Sequence, residues 1–273
     1  MADYSDLYDE ITEEERPPDP KEEEARDFLR RFFEKNQDQV FFSRQIEVQN
    51  EQRYFHWITN RAIRDLEQGV GLLRSEIRKL PRAGTIKLLW HRNFRYYKRE
   101  AKRVASVVDE YANPNIGAAL GLHGELMVLE AFARAEFVMR GRETRGFRNR
   151  SWSKSDHDLD FVFERDGIAY GVEVKNTLGY MNYDELLLKI ELCKYLNLRP
   201  VFVVRMMPKS WMFELIEAGG FGLILKYQLY PWTHKELGRH VARELGLPID
   251  SPRAIQDGTM TRFLKWHKGL LAL

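Results

Sequence analysis

A single cysteine, Cys193, is all the thiol chemistry this sequence offers. One cysteine closes no intrachain disulfide, and no Cys/His spacing resembles a zinc site, so a disulfide framework and a zinc module are both excluded. No apolar run approaches the roughly 20 residues needed to cross a bilayer, and the first residues lack the basic-then-apolar layout of a signal peptide. The expectation is a soluble, cytoplasmic protein that uses no membrane. Strong charge of either sign is missing too: 43 basic and 41 acidic side chains leave a formal net charge of +2. No internal repeat is visible.

That balance hides a segregation. Residues 1–22 and the two that follow carry Asp3, Asp6, Asp9, Glu10, Glu13, Glu14, Glu15, Asp19, Glu22, Glu23 and Glu24 against Arg16 and Lys21. The run reads as an acidic, disordered tail. The rest of the chain is basic, with Lys87, Arg92, Arg95, Lys98, Arg99, Lys102 and Arg103 crowded among aromatic residues, a grouping suited to phosphate. An apolar content of 44% over 273 residues supports one large domain or two smaller ones.

Residues 23–92 read as one small α+β domain. Phe28, Leu29, Phe32 and Phe33 fall at helical spacing, Val40–Phe42 is a short β-like run, and Ile58, Ala62 and Leu66 mark a second helix that stops near Gly69. Two strand-like runs then flank Pro81-Arg82-Ala83-Gly84. Helix, short strand, helix and basic hairpin in this order resemble a winged helix-turn-helix domain. That resemblance implies DNA contacts from Asn60, Arg61 and Arg64 on the last helix and from Arg82 on the wing, with Lys87 and Arg99 nearby. The alternative is a plain scaffold whose arginines form a solvated face. Residues 93–114 read as a basic connector helix.

Residues 115–232 alternate helix and strand, the pattern of an α/β mixed sheet covered by helices. Residues 233–273 read as a C-terminal helical extension. The chemistry concentrates in "HDLDFVFERDGIAYGVEVKN", residues 157–176. Leu159–Phe163 and Ile168–Val174 flank the turn signal Arg165-Asp166-Gly167, which makes a β-hairpin. Alternation puts Glu173 and Lys175 on one face, and antiparallel pairing brings Asp160 to the same end of the sheet as Glu173. Two such carboxylates, with the Val174 carbonyl between the charged pair, are hard oxygen ligands suited to Mg2+ or Mn2+. Lys175 stands ready to steady charge building on a phosphate.

An aspartate strand, a turn and then Glu-x-Lys, within the order helix, three strands, helix, strand, resemble the PD-(D/E)xK nuclease superfamily, which includes restriction endonucleases and Holliday junction resolvases. The likeness covers residues 117 to about 226. It implies a restriction endonuclease-like fold, metal held by Asp160 and Glu173, and Lys175 as the catalytic lysine. Glu125, between Leu122 and Leu129, sits on a stripe expected to face the sheet; many members of the superfamily place a first-helix glutamate at the metal, and the alternative is an acid paired with an arginine. The leading proline-aspartate is absent, so Asp158 and Asp160 both stand as candidates for the first metal ligand. Asn182 and Glu185 form a capping-box pattern that explains Glu185 without a site role, Lys189 pairs with Glu185 at i+4, and Arg205 is a second-rank candidate.

These residues imply a magnesium-dependent DNA nuclease, an endonuclease, with duplex DNA as its partner and a homodimer wherever both strands are cut. A non-catalytic DNA-binding regulator and an RNA-processing nuclease are the other two readings.

Overall fold

The computed structural model describes residues 20–272, so the acidic tail up to residue 19 lies outside the described residues. The chain divides into two compact units, the first holding residues up to Gly117 together with Glu236–Pro248, the second Ala118–Lys235 and Ile249 onward.

In the first unit, helix α1 (Lys21–Lys35) buries Ala25, Leu29 and Phe33 one turn apart. Strand β1 (Val40–Phe42) leads directly into α2 (Ser43–Asn50) and then α3 (His56–Arg64), which continues in a π-helical turn to Gly69. Strands β2 (Leu73–Leu80) and β3 (Gly84–His91) form a hairpin, and the sheet runs β1-β3-β2, antiparallel throughout. Leu29, Ile46, Ile58, Leu66 and Leu89, all essentially inaccessible to solvent, make its core. Helix α2 was absent from the sequence expectation because it buries Gln45, Glu47 and Asn50 beside Ile46 and Val48, leaving no clean apolar stripe. The stretch expected to connect domains, α4 (Tyr97–Tyr111), belongs to this unit, burying Ala101, Val104, Ala105, Val107 and Val108. Tyr97 stacks on Trp90 with ring centroids 4.1 Å apart, and Asp109 accepts hydrogen bonds from the N–H groups of Arg82 (2.8 Å) and Ala83 (3.2 Å). The β2–β3 turn is thereby tied to α4.

The second unit is built on a five-stranded mixed sheet, order β10-β9-β8-β7-β4. Helix α5 (Pro114–Arg134) precedes β4 (Val138–Thr144); the small pair β5 (Gly146–Phe147) and β6 (Arg150–Ser151) leads to β7 (Leu159–Arg165) and β8 (Ile168–Lys175). Then come α6 (Tyr183–Leu196), β9 (Arg199–Val204), α7 (Lys209–Glu217) and β10 (Phe221–Ile224). Strands β8, β9 and β10 are parallel, whereas β7 pairs antiparallel with both β8 and β4. A short parallel pair joins β11 (Gln228–Leu229) to β12 (Ile249–Asp250), the chain between them carrying α8 (Lys235–Leu245) of the first unit, and α9 (Asp257–Leu270) ends the described chain.

Two local choices fix the site-bearing hairpin. Asp166 (φ 52°) and Gly167 (φ 77°) occupy the left-handed region in succession, the requirement of a two-residue type I′ turn. Strand β8 is central and buried at six consecutive positions, so it reads Ala-Tyr-Gly-Val-Glu-Val. One face of the sheet packs Phe161, Phe163, Val172 and Val174 against Met127, Val128 and Phe132 of α5 and Phe263 of α9. The other packs Leu159, Val162 and Ala169 against Leu192, Cys193 and Leu196 of α6.

Two sequence expectations need correcting here. Helix α5 is long and apolar enough by length and composition to cross a membrane, contrary to the expectation that no run approached that length; Val128 and Phe132 nevertheless lie in the sheet core. Its buried stripe is Leu120, Gly124, Met127, Val128 and Ala131, whereas Leu122 and Leu126 are exposed, so the stripe through Leu122 is not the one that meets the sheet.

Candidate active site

Register builds the site first. Phe161 stands opposite Val172, so one further step places Asp160 opposite Glu173. Strand alternation turns both toward the α6 face, away from Phe161 and Val172. The Asp160 carboxylate accepts a 2.6 Å hydrogen bond from the Val174 N–H through Oδ2. Its Oδ1 has no partner among the described residues.

Helix α6 supplies the rest. It runs back over β8, and four residues of helix advance about 6 Å while two residues of strand advance about 6.6 Å. The near match aligns α6 positions four apart with β8 positions two apart. Glu185 meets Lys175, Lys189 meets Glu173, and Cys193 lies over Gly171, where an added Cβ would come within 2.5 Å of the Cys193 sulfur. The glycine is therefore a packing requirement.

Glu173 is 2% exposed and accepts from two ammonium groups, Lys189 at 2.7 Å and Lys175 at 3.0 Å. Lys175 is shared with Glu185 at 2.9 Å. Lys189, itself 4% exposed, also donates to the backbone carbonyl of Asp158, joining α6 to both strands of the hairpin. The Asp158 carboxylate stays 3.9 Å from Lys189, half exposed at the rim. Burial, and then the Glu173 charge, push the Asp160 carboxyl up to about 7, against the opposing pull of the Val174 N–H and the two lysines. Burial disfavours the Lys175 ammonium, but Glu173 and Glu185 overcome it and hold that group well above the ordinary lysine range.

No family model, curated protein or solved structure matches this chain. Its site has to be read from its own geometry.

Asp160, Glu173 and Lys175, expected together, share one face at one end of the sheet. Glu125 is engaged by Arg142 at 3.1 Å, and that arginine lies over the Phe161 ring on the α5 side of the sheet. Among the described residues no three His, Cys, Asp or Glu side chains converge as a metal-binding group, so this structure does not bring Glu125 to the two hairpin acids. Lys189 corrects the expectation of an i+4 pair with Glu185: it reaches across to Glu173 instead. Glu185 is more than a cap residue, since Asn182 caps the N–H groups of Asp184 and Glu185 while the Glu185 carboxylate holds Lys175. Arg205 lies just past β9, buried, donating to the Leu178 carbonyl at 3.2 Å.

Sequence reasoning also missed Asn176. One residue beyond Lys175, its side chain donates to the carbonyls of Leu120 (2.8 Å) and Leu229 (2.7 Å) and accepts from the Leu229 N–H, fastening the end of β8 to α5 and β11. No sequence signal marked it except its place beside Glu-x-Lys.

Oxygens of the kind a hard divalent cation takes stand here, though both oxygens of Glu173 are held by Lys175 and Lys189. Asp160 Oδ1 is free, and the N–H and C=O of one strand residue project to the same side, so the Val174 carbonyl faces Asp160 as its N–H does. Two carboxylates close enough that one raises the other's affinity for a proton also favour a cation.

Of the residues expected to meet DNA, Arg61 is held by Glu22 at 2.6 Å over the Trp57 ring, and Lys87 by Glu67 at 2.6 Å. Asn60 is half-buried, and Arg64 and Arg99 are exposed. Arg82 is exposed at the β2–β3 turn.

Proposed function

We propose that the second unit is a magnesium- or manganese-dependent nuclease of the PD-(D/E)xK kind, with a restriction endonuclease-like sheet, hydrolysing phosphodiester bonds in DNA. The first unit, whose order α1-β1-α2-α3-β2-β3 resembles that of a winged helix, would bind the duplex. The observation that carries the reading is the hairpin end, where Asp160, Glu173 and Lys175 share one face and Asp160 keeps an uncommitted oxygen.

Asp160, Glu173 and the Val174 carbonyl would hold the cation, which supplies Lewis-acid stabilisation of charge on the phosphate. The protein's own groups do the rest. Lys175 presents an ammonium that donates to a phosphate oxygen as negative charge grows there. Glu185 and Glu173 keep that ammonium charged and aimed, and Lys189 fixes the Glu173 carboxylate against both strands. Cutting both strands of a duplex requires a second copy of the chain. The buried, unpaired thiol of Cys193 suits a cytoplasmic setting.

One observation favours the non-cutting DNA-binding alternative: both lysines already neutralise Glu173, as in a purely structural ion-pair network. Incubating DNA and RNA substrates with the wild type, Glu173→Gln and Lys175→Ala in Mg2+ or Mn2+ decides between them. Cleavage of DNA lost in both variants supports the nuclease; wild-type failure on every substrate and metal leaves the binding protein, and a preference for RNA makes it an RNA-processing enzyme.

A further inference from the structure

The expected duplex-binding residues are partly spent: Arg61 and Lys87 are neutralised by glutamates. The start of α4 is different. Arg95, Lys98, Arg99 and Lys102 are exposed, and none has a carboxylate or hydrogen-bond partner among the described residues. At about 100° per residue, Lys98, Lys102 and Arg99 fall within one arc of about 100°, outside the arc taken by the buried Ala101, Val104, Ala105, Val107 and Val108. Arg95 extends the row at the turn before the helix.

Among these cations stands Tyr96, 85% exposed, with no ring or hydrogen-bond partner among the described residues. An aromatic ring so fully presented to water gains nothing for the fold, whereas its neighbour Tyr97 is committed to Trp90. The Tyr97–Trp90 stack and the buried stripe fix the helix that displays Tyr96, so the ring is carried on a rigid support.

We infer that the start of α4 is a binding ridge for single-stranded nucleic acid, with Tyr96 as a stacking platform for an unpaired base and Arg95, Lys98, Arg99 and Lys102 as contacts to the flanking phosphates. The combination of a flat exposed ring with unpaired cations fits a strand whose bases are free to stack; a paired duplex offers its phosphates but buries its base faces. The inference deepens the nuclease reading and rests on it for the fate of the strand, because it names DNA with unpaired nucleotides, such as a flap, gap or junction, as the substrate class.

The test uses the full chain in EDTA, where binding is read without cleavage. Fluorescence anisotropy with labelled oligo-dT of about 20 nucleotides, and with a blunt duplex of equal length, compares the wild type, Tyr96→Ala, Tyr96→Phe and the quadruple Arg95/Lys98/Arg99/Lys102→Gln variant. Tyr96→Ala is expected to weaken single-strand binding roughly 5- to 100-fold and duplex binding less than about twofold, with Tyr96→Phe close to wild type. The quadruple variant is expected to lower the single-strand salt slope by about 3. Equal loss on both probes, no loss in Tyr96→Ala, an unchanged salt slope, or equal competition by heparin or anionic vesicles would each overturn the inference. Cleavage by the wild type in Mg2+ or Mn2+ separates the two readings: single-strand binding that depends on Tyr96 in a wild type that cuts nothing retains the ridge and removes the nuclease, while wild-type cutting together with single-strand binding indifferent to Tyr96 does the reverse.

Discussion

Replacing Lys189 by methionine keeps the length of the side chain but removes its charge from a place where almost no water reaches. Glu173, 2% exposed, would lose its 2.7 Å partner and keep only Lys175, which Glu185 also claims. The Asp158 carbonyl would lose its donor as well. Breaking a buried pair by removing one partner costs about 3–5 kcal/mol, because the other charge stays behind without compensation. A surface i+4 pair between Lys189 and Glu185, the arrangement the sequence suggested, would cost only about 0.3–0.5 kcal/mol. The gap between these figures makes the experiment decisive. Glu173→Leu should cost a comparable amount by leaving Lys189 uncompensated, whereas the double variant replaces the pair by apolar side chains and should fall within about 2 kcal/mol of wild type. Their coupling should therefore exceed about 2 kcal/mol. Because the chain has two units, a single denaturation curve mixes them; hydrogen exchange at β8 amides, followed by mass spectrometry, reads the second unit by itself. Additivity of the two single substitutions within about 0.5 kcal/mol would refute the buried pair.

The Asp160 carboxyl gives a pH dependence of definite sign. Its folded value of about 7 lies above the ordinary 3.8, so the folded state holds this proton more tightly; stability from this group is full below about 4 and is lost as pH rises through about 7, and Asp160→Asn should flatten that limb of a stability–pH profile. Mg2+ or Mn2+ should raise the melting temperature of the wild type at pH 8, and Asp160→Asn with Glu173→Gln should abolish the shift while still folding; an equal shift in both proteins would place the cation elsewhere. Lys175→Ala should lower DNA cleavage by roughly 10² or more with little change in affinity, and an equal loss in both measurements would assign Lys175 to binding. Arg82, Lys87 and Arg99 replaced together by alanine should lower the salt slope of duplex binding by about 2, from Arg82 and Arg99, because Glu67 already neutralises Lys87, with turnover at saturating DNA nearly intact.

Elements whose signal is local were legible in the sequence. The β7–β8 hairpin showed itself through period-two alternation around Asp166-Gly167, two residues that accept positive φ, and α6 through a polar cap at Asn182 followed by an apolar run. Asp160, Glu173 and Lys175 followed from register alone. What stayed hidden depends on contacts between distant elements. Helix α2, packed against α3, β1 and β3, buries Gln45, Glu47 and Asn50 as well as Ile46 and Val48, so no periodic stripe announced it. Lys189 looked like an ordinary helix-surface lysine because nothing in its own helix says that β8 carries a carboxylate beneath it. A signal did exist: Glu185-x3-Lys189 on the helix against Lys175 and Glu173, two apart with the charges reversed, on a strand that the helix must cross in the opposite direction. Glu125 shows the opposite failure. The stripe through Leu122 was plausible by spacing, but Gly124 turns the tightest face of α5 to the sheet, where an added Cβ would come within 2.7 Å of Asn176.

The four acids around Lys175 and Lys189, namely Asp158, Asp160, Glu173 and Glu185, differ most in what neutralises them, and that difference locates the chemistry. Glu173 has two ammonium partners within 3.0 Å and Glu185 has one. Asp158 sits half exposed, where water screens it. Asp160, half-buried, has a backbone N–H as its one hydrogen-bond donor, feels the two lysines only at a distance, and keeps one oxygen uncommitted. The electrostatic deficit of the site therefore falls on one carboxylate. A proton and a divalent cation are rival remedies for the same deficit, and they exclude one another at the same oxygen. Cation affinity must then fall as pH drops below about 7, with a slope near one proton per cation. Titrating metal-induced stabilisation from pH 8 to pH 5.5 measures it. A flat profile would mean that Asp160 does not hold the metal, and with it would go the reading of this hairpin as the ligand set.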